Sequence, residues 1–346
     1  MLNKIKNRLK KELPCLIGDL NRQYSLNKIS PLLYQSIREF ILRKGKRARP
    51  LLFIAGYLGF AKKAAKGLYR SALSLELLHD FMLVHDDIID KSATRRGKPA
   101  LHVLLNRYLK KYGRRKFSGE DLSIVLGDVL YAMSLRAFLD IQADPQDKER
   151  ALKKFISAAL YTGSGEFIEL LYGLKDIDKI KKEEIYKIYD LKTAHYTFAS
   201  PLAIGATLAG AAKRETDKLS RYGLYLGRAF QIKDDILGIF SSQRQTGKSD
   251  LADLKEAKKT ILIWQAYHAS GSQDKRIIKN TLAKQKAGKS DLLKIRRIIK
   301  KSGALDYAAD EIKRFMQKAC AILKTSGLSG PYKKILEKYA QEILKL

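Results

Sequence analysis

His79-Asp80-Phe81-Met82-Leu83-Val84-His85-Asp86-Asp87-Ile88-Ile89-Asp90 is an apolar run that ends in acid. Residues four apart on an α-helix share a face, so Asp86 and Asp90 project together, and His79, seven before Asp86, falls on the same stripe. Paired aspartates near a helix end are commonplace on surfaces. Here the run that carries them reads as a buried helix, and buried carboxylates require compensating cations. Downstream, Asp234-Asp235-Ile236-Leu237-Gly238 repeats the arrangement in a second helical apolar stretch. Two such helices facing one another would form a cage of hard oxygen ligands. Such a cage suits Mg²⁺, which takes carboxylate, water and phosphate oxygens and uses a phosphate-bearing substrate to complete its octahedron.

The rest of the chain reads as helix after helix. There are seven prolines in 346 residues, and Leu, Ile, Ala, Lys and Glu dominate long stretches. The pattern predicts helices over 1–25, 31–42, 51–59, 71–89, 123–141, 150–172, 182–212 and 215–240. A polar loop over 241–252 follows, then three or four more helices separated near Gly271, Gly288, Gly303 and Gly327 to Gly330. Pro50 suits the first turn of its helix, where a missing N–H matters little. Residues 91–99 read as a basic turn and 110–121 as a basic loop; no β-alternation with hairpin signals is present. No linker or composition break divides the chain, so one all-α domain over 1–346 is expected, with 1–30 as a basic amphipathic leader helix.

Hydrophobic residues make up 45% and charged residues 30%, which excludes a disordered chain. Lys and Arg number 68 against 36 Asp and Glu, a net charge of +32. The cations are spread over many helical faces, which favours a solvated exterior, steering of diphosphates and weak peripheral attraction to membranes. No zinc-finger spacing, RNA-recognition signature or basic zipper accompanies them, so no nucleic-acid partner is expected. Cys15 and Cys320 make neither a disulfide framework nor a metal site, and Glu12 and Pro14 interrupt any secretion signal; a cytoplasmic location is expected. The weakly polar stretch 197–212 is too short to span a membrane and reads as a closely packed buried helix.

Cations flank the first acidic run. Arg95-Arg96-Gly97 follows Asp90 by five residues, and Lys46 and Arg49 lie around Gly45. A guanidinium fork suits bidentate phosphate recognition. Each feature alone is an ordinary surface turn; their order along the chain is the informative part.

With these motifs the chain, from about residue 30 to its C-terminus, resembles the trans-polyprenyl diphosphate synthases. Gly45-Lys46-Arg47-Ala48-Arg49-Pro50 resembles the family's glycine-lysine-arginine loop, and His79 falls at a His or Gln position. Asp86 to Asp90 with Arg95-Arg96-Gly97 resembles the first aspartate-rich motif, and Gly227 to Asp235 the second. Leu126-Gly127-Asp128, Lys192-Thr193-Ala194, Thr246-Gly247-Lys248 and Lys258-Lys259-Thr260 are similar to further family segments. Lys44 and Ala257 stand where glycines are usual, and Gly238 where many members have a third aspartate.

The resemblance implies a helical bundle around a central cavity. It also implies a prenyltransferase that joins isopentenyl diphosphate to an allylic diphosphate, with the protein a homodimer. Asp86, Asp87, Asp90, Asp234 and Asp235 would hold Mg²⁺, about three ions per site, on the allylic diphosphate. Arg95, Lys192, Lys248 and Lys258 would add donors there, and Lys46, Arg49, His79 and Arg96 would hold isopentenyl diphosphate without metal. Thr193 and Gln231 would turn oxygen dipoles towards the developing carbocation. His85, His102 and His195 are left with local structural roles. Met82 lies about 6 Å before Asp86 along the axis and about 40° round it. By resemblance, bulky Phe81 and Met82 limit elongation, which favours geranylgeranyl over farnesyl diphosphate. A non-catalytic partner subunit and a terpene cyclase are the alternatives; turnover with isopentenyl and allylic diphosphates separates them.

Overall fold

The computed structural model describes residues 2–113, 116–241, 254, 256–284 and 286–345. Helix α1 (Leu2–Tyr24) buries Ile5, Leu9, Leu13, Leu16, Ile17 and Leu20, an apolar stripe at helical spacing. That stripe shares one core with α5 (Leu68–Ile89) and α7 (Gly119–Phe138). The basic leader is therefore part of the bundle, and its apolar face is spent on packing instead of on a membrane. Short α2 (Leu26–Ile29) leads to α3 (Pro31–Ile41), which Ser30 caps by accepting from the Leu33 N–H at 3.2 Å. Helix α4 (Ala48–Leu58) has Pro50 in its first turn.

Residues 91–99 form a tight antiparallel pair, β1 (Thr94–Arg95) and β2 (Lys98–Pro99), turned by Arg96 and Gly97 at positive φ. Helix α6 (Leu101–Leu109) falls in a stretch that the sequence pattern leaves unassigned. Its nine residues are too few to establish a clear period. Ser118 and Asp121 then close a reciprocal capping box on α7. Helix α8 (Pro145–Gly173) begins at an Asp144 cap with proline in its first turn.

The segment 182–208 is a continuous helical rod whose middle is wide: α9 (Lys182–Ile188), a π-helical stretch Tyr189–Ala199, and α10 (Ser200–Leu208). Pro201 has no N–H to return to the Thr197 carbonyl, so the α-ladder is broken where the wide stretch ends. Helix α11 (Lys213–Phe240) crosses the π-stretch closely at Gly227, where a Cβ would lie 2.4 Å from the Ala194 Cα. Five helices complete the described chain: α12 (Ile261–His268), α13 (Ser272–Leu282), α14 (Lys289–Lys301), α15 (Ala304–Thr325) and α16 (Gly330–Leu344). The sequence expectation was three or four, although its breaks near Gly271, Gly288, Gly303 and Gly327 to Gly330 fall at the four boundaries between these helices. The fold is all-α, as expected, with α5 packed on α7, α11 on α15 and the π-stretch, and α10 on α4.

Candidate active site

The acid end of α5, the π-stretch, α8 and α11 enclose two adjoining cavities, of about 980 Å³ and about 530 Å³. Lys46, Asp86, Lys192, Thr193, Gln231 and Asp234 line both, so the two share a wall. Arg49, His79, Arg95, Arg96, Phe81 and Met82 line the larger cavity. Asp90, Asp235 and Lys258 line the smaller. Residues from six separate segments of the sequence are thus brought to one place. Lys248 lies outside the described residues.

Asp86 lines both cavities. Burial pushes its carboxyl up to about 7, and neighbouring Glu166 and Asp90 add to the rise against the pull of Lys192 and Arg95. A carboxyl held above the ordinary acid range is under-compensated and favours the approach of a hard cation. Among the described residues, however, no three His, Cys, Asp or Glu side chains converge closely enough to hold a metal by themselves. The preformed cage expected from the sequence is therefore two acidic walls across a cavity. Like charges repel until something positive bridges them, and Mg²⁺ ordinarily takes part of its shell from phosphate and water.

Asp87 departs from the expectation that it joins Asp86 and Asp90. It is 1% exposed and accepts from Arg95 Nε at 2.7 Å, away from both cavity linings. The reason is helical geometry: one residue is about 100° of rotation. Asp235 is likewise buried, accepting from Gln231 Nε2 at 3.0 Å and from the Tyr189 hydroxyl, while Tyr189 in turn accepts from the Ile261 N–H at 2.8 Å. Thr193 donates to Gln231 Oε1 at 2.6 Å. One hydrogen-bonded chain thus orients Thr193 and Gln231, with α12 as its anchor.

Lys192 sits between two glutamates of α8, Glu166 at 2.5 Å and Glu169 closer still. Burial works against its charge, but Glu169 and Glu166 outweigh that and hold the ammonium well above its ordinary range. Gly165 permits this approach, since a Cβ there would meet the Lys192 backbone nitrogen at 2.8 Å. Lys258 pairs with Glu256 at 2.6 Å, just after Ala257 takes a left-handed φ of 51° at a position where glycine was noted as usual.

Also on the larger cavity, Arg49 donates to Thr197 Oγ1 at 2.7 Å and lies 4.2 Å over the Tyr196 ring. Burial, with Arg49, Arg96, Arg95 and Arg47 around it, holds His79 well below the usual imidazole range, so it is neutral. Phe81 packs 5.2 Å from the Tyr131 ring and 4.7 Å from His85. His85 also approaches the Ile124 carbonyl at 3.2 Å, a local contact of the kind expected for it.

Sequence reasoning passed over Glu166, Glu169, Tyr189 and Tyr196, and quoted Lys259 in a motif without giving it a role. Lys259 lines the smaller cavity, and burial lowers it to about 8. No spacing singled these residues out, because each depends on a contact between distant helices. Glu76 and Asp80 were legible in principle, as acids four apart inside a buried apolar run.

Residues 30–299 match the polyprenyl synthetase family, and the chain belongs to it. The protein is a prenyltransferase of the short-chain group. It is 33% identical over 290 residues to a geranylgeranyl diphosphate synthase of Saccharolobus solfataricus, covering 83% of this chain and 81% of that one. It is also 33% identical over 284 residues to a geranylfarnesyl diphosphate synthase of Aeropyrum pernix, covering 81% and 83%. The structure superposes on a geranylgeranyl pyrophosphate synthase of Corynebacterium glutamicum, solved with isoprenyl diphosphate and magnesium, with a TM-score of 0.90 and 25% identity over 100% of this chain and 99% of that one.

Proposed function

We propose that the protein condenses isopentenyl diphosphate with allylic diphosphates and that its product is geranylgeranyl diphosphate, with farnesyl diphosphate the next choice. The observation that carries this reading is one cavity lined together by the acids Asp86 and Asp234 with Lys192, by the basic Lys46, Arg49, Arg95 and Arg96, and by the apolar Phe81, Met82, Tyr131 and Leu160.

Asp86, Asp90 and Asp234 are the residues that would hold Mg²⁺, about three ions with the diphosphate completing their shells. Bound there, the metal neutralises the negative charge that gathers on the departing diphosphate. Arg95 and Lys192 add donors to the same group; an ammonium has three N–H bonds, so Lys192 keeps one for substrate beyond its two glutamates. Lys258 reaches it from the smaller cavity. Lys46, Arg49, His79 and Arg96 hold isopentenyl diphosphate so that its double bond meets the allylic carbon. Thr193 and Gln231 present oxygens to the carbon that becomes positive, a preorganised electrostatic contribution. The C–O bond of the allylic diphosphate breaks, a C–C bond forms, and the departing diphosphate accepts the proton that is lost.

The chain is proposed as one domain over 1–346, supported by the burial of α1 in the same core as α5. A homodimer is proposed from α8. Ile156, Leu160, Gly163, Phe167 and Leu170, with Leu174 just past the helix, follow alternating steps of four and three, the spacing of a helix-pairing seam, on a face that also borders the larger cavity. Leu160 is 64%, Phe167 65% and Leu174 87% exposed. A cytoplasmic location is proposed from the free thiols of Cys15 and Cys320; no helix among the described residues is long and apolar enough to cross a membrane.

Turnover of radiolabelled isopentenyl diphosphate with farnesyl diphosphate and Mg²⁺, followed by chromatography of the dephosphorylated alcohols, tests the reading. A twenty-carbon product is expected. Absence of turnover with any allylic diphosphate would overturn it in favour of a partner subunit.

A further inference from the structure

Glu76 and Asp80 are buried acids that none of the roles above uses. Glu76 is 2% exposed and Asp80 fully buried. Neither is a surface accident, because burying a charge in an apolar helix costs more than an apolar residue of the same volume would. Their partners come from two loops. Arg47 pairs with Glu76 and also donates to the Ile41 and Arg43 carbonyls, at 2.6 Å and 2.8 Å. Arg96 donates to Glu76 at 3.3 Å and lies 3.1 Å from Asp80, where neither carboxylate oxygen has a well-aligned hydrogen bond. Burial and the adjacent Glu76 push the Asp80 carboxyl up to about 8, against the pull of Arg96 and Arg47.

Both arginines take left-handed backbone angles, φ 49° for Arg47 and 54° for Arg96. Such angles in bulky residues persist only where surrounding contacts impose them. The two guanidinium groups meet beside Gly45, where a Cβ would sit 3.5 Å from the Arg96 Cζ and 3.6 Å from the Arg47 Cζ. The acids therefore tie the 43–49 loop and the 94–97 turn to α5 at one point. Lys46 and Arg49 flank Arg47 on the first of these, and His79 adjoins Asp80 on the helix.

We propose that Glu76 and Asp80 are positioning residues that hold Arg96, and through Arg47 the 43–49 loop, in register for the metal-free diphosphate of isopentenyl diphosphate. A guanidinium has five N–H donors, so two directed at the acids leave the others for phosphate in a fixed orientation. The inference rests on the assignment of isopentenyl diphosphate to this corner.

Asp80→Asn keeps the size and removes the charge that the carboxyl carries above about pH 8. In steady-state kinetics of the full chain with Mg²⁺ at about pH 9, each substrate varied in turn, KM for isopentenyl diphosphate should rise about tenfold. The allylic KM and kcat should stay within about threefold. The melting temperature should not fall, because an imperfectly paired buried charge has been removed. In an Arg96→Lys background the same substitution should add less than about twofold, since its effect passes through Arg96. An unchanged isopentenyl KM in Asp80→Asn overturns the inference, as does a joint rise of both KM values with a fall in melting temperature. Should Asp80→Asn fail to fold, Glu76→Gln carries the same kinetic test; failure of both to fold would make the acids structural braces and end the proposal. Wild-type enzyme that does not turn over isopentenyl diphosphate defeats the proposed function itself, a distinct result from a wild type that does and a variant that matches it.

Discussion

Along α5, His79, Met82, Asp86 and Asp90 face the cavities, whereas Asp80 and Asp87 lie roughly 100° round the same helix against the arginines of neighbouring loops, and Glu76, at the edge of the larger cavity, pairs with Arg47. The two stripes hold the same chemical groups. What differs is who neutralises them. Arg95, Arg47 and Arg96 are built into the protein for the second stripe. On the first, Lys192 is engaged by Glu166 and Glu169, and Asp86 makes no ion pair among the described residues. A carboxylate with its own arginine contributes to the fold; one without is available to a cation that arrives with substrate. The comparison teaches that acid count along a helix says little about a site until the partner of each acid is known.

The comparison breaks most easily at Asp86. Asp86→Ala should lower turnover by about three orders of magnitude, while circular dichroism and the melting temperature change little. Turnover within tenfold of wild type would place the metal elsewhere. Asp87→Ala tests the other stripe by the opposite readout. Removing one partner of a buried pair should reduce unfolding free energy by roughly 3 kcal/mol, measured by urea titration, and a variant as stable as wild type would show that the Arg95 pair does not brace the turn.

The apolar end of the same stripe offers a third test. Phe81→Ala with Met82→Ala opens the larger cavity behind Asp86 and should lengthen the product by one or more five-carbon units, read from the chromatographed alcohols. An unchanged distribution would put the floor at another residue.

The smallest effect concerns pH. The Asp86 carboxyl moves from an ordinary value near 3.8 to about 7 in the folded protein. Between those values the folded chain holds a proton that the unfolded chain has released, so stability from this group falls as pH rises through the window. In chelator, without substrate, Asp86→Asn should therefore melt a few degrees higher than wild type at pH 7.5, with the gap narrowing towards pH 4. A gap that does not vary with pH would mean that Asp86 is not desolvated.

Much of this was legible in the chain. The helix periods, the two acidic runs and the order of basic loops between them pointed to the fold and to Asp86, Asp90, Asp234, Lys46, Arg49 and Lys192, all of which line the paired cavities. Helix α6 was not legible, because short helices give too few turns for a period to emerge. Asp87 was grouped with its neighbours by adjacency in sequence, yet adjacency on a helix means different faces.

Sequence by itself determined what local rules govern: helical spacing, Pro50 in the first turn of its helix, and which acids share a stripe with which. Only the tertiary structure decided which stripe met arginines and which met open space. It also set Lys192 between Glu166 and Glu169, and tied Thr193 to Gln231, Asp235 and Tyr189. The physical reason is that the state of an ionisable group depends on burial and on charges a few ångströms away, and those neighbours come from helices far apart in the chain.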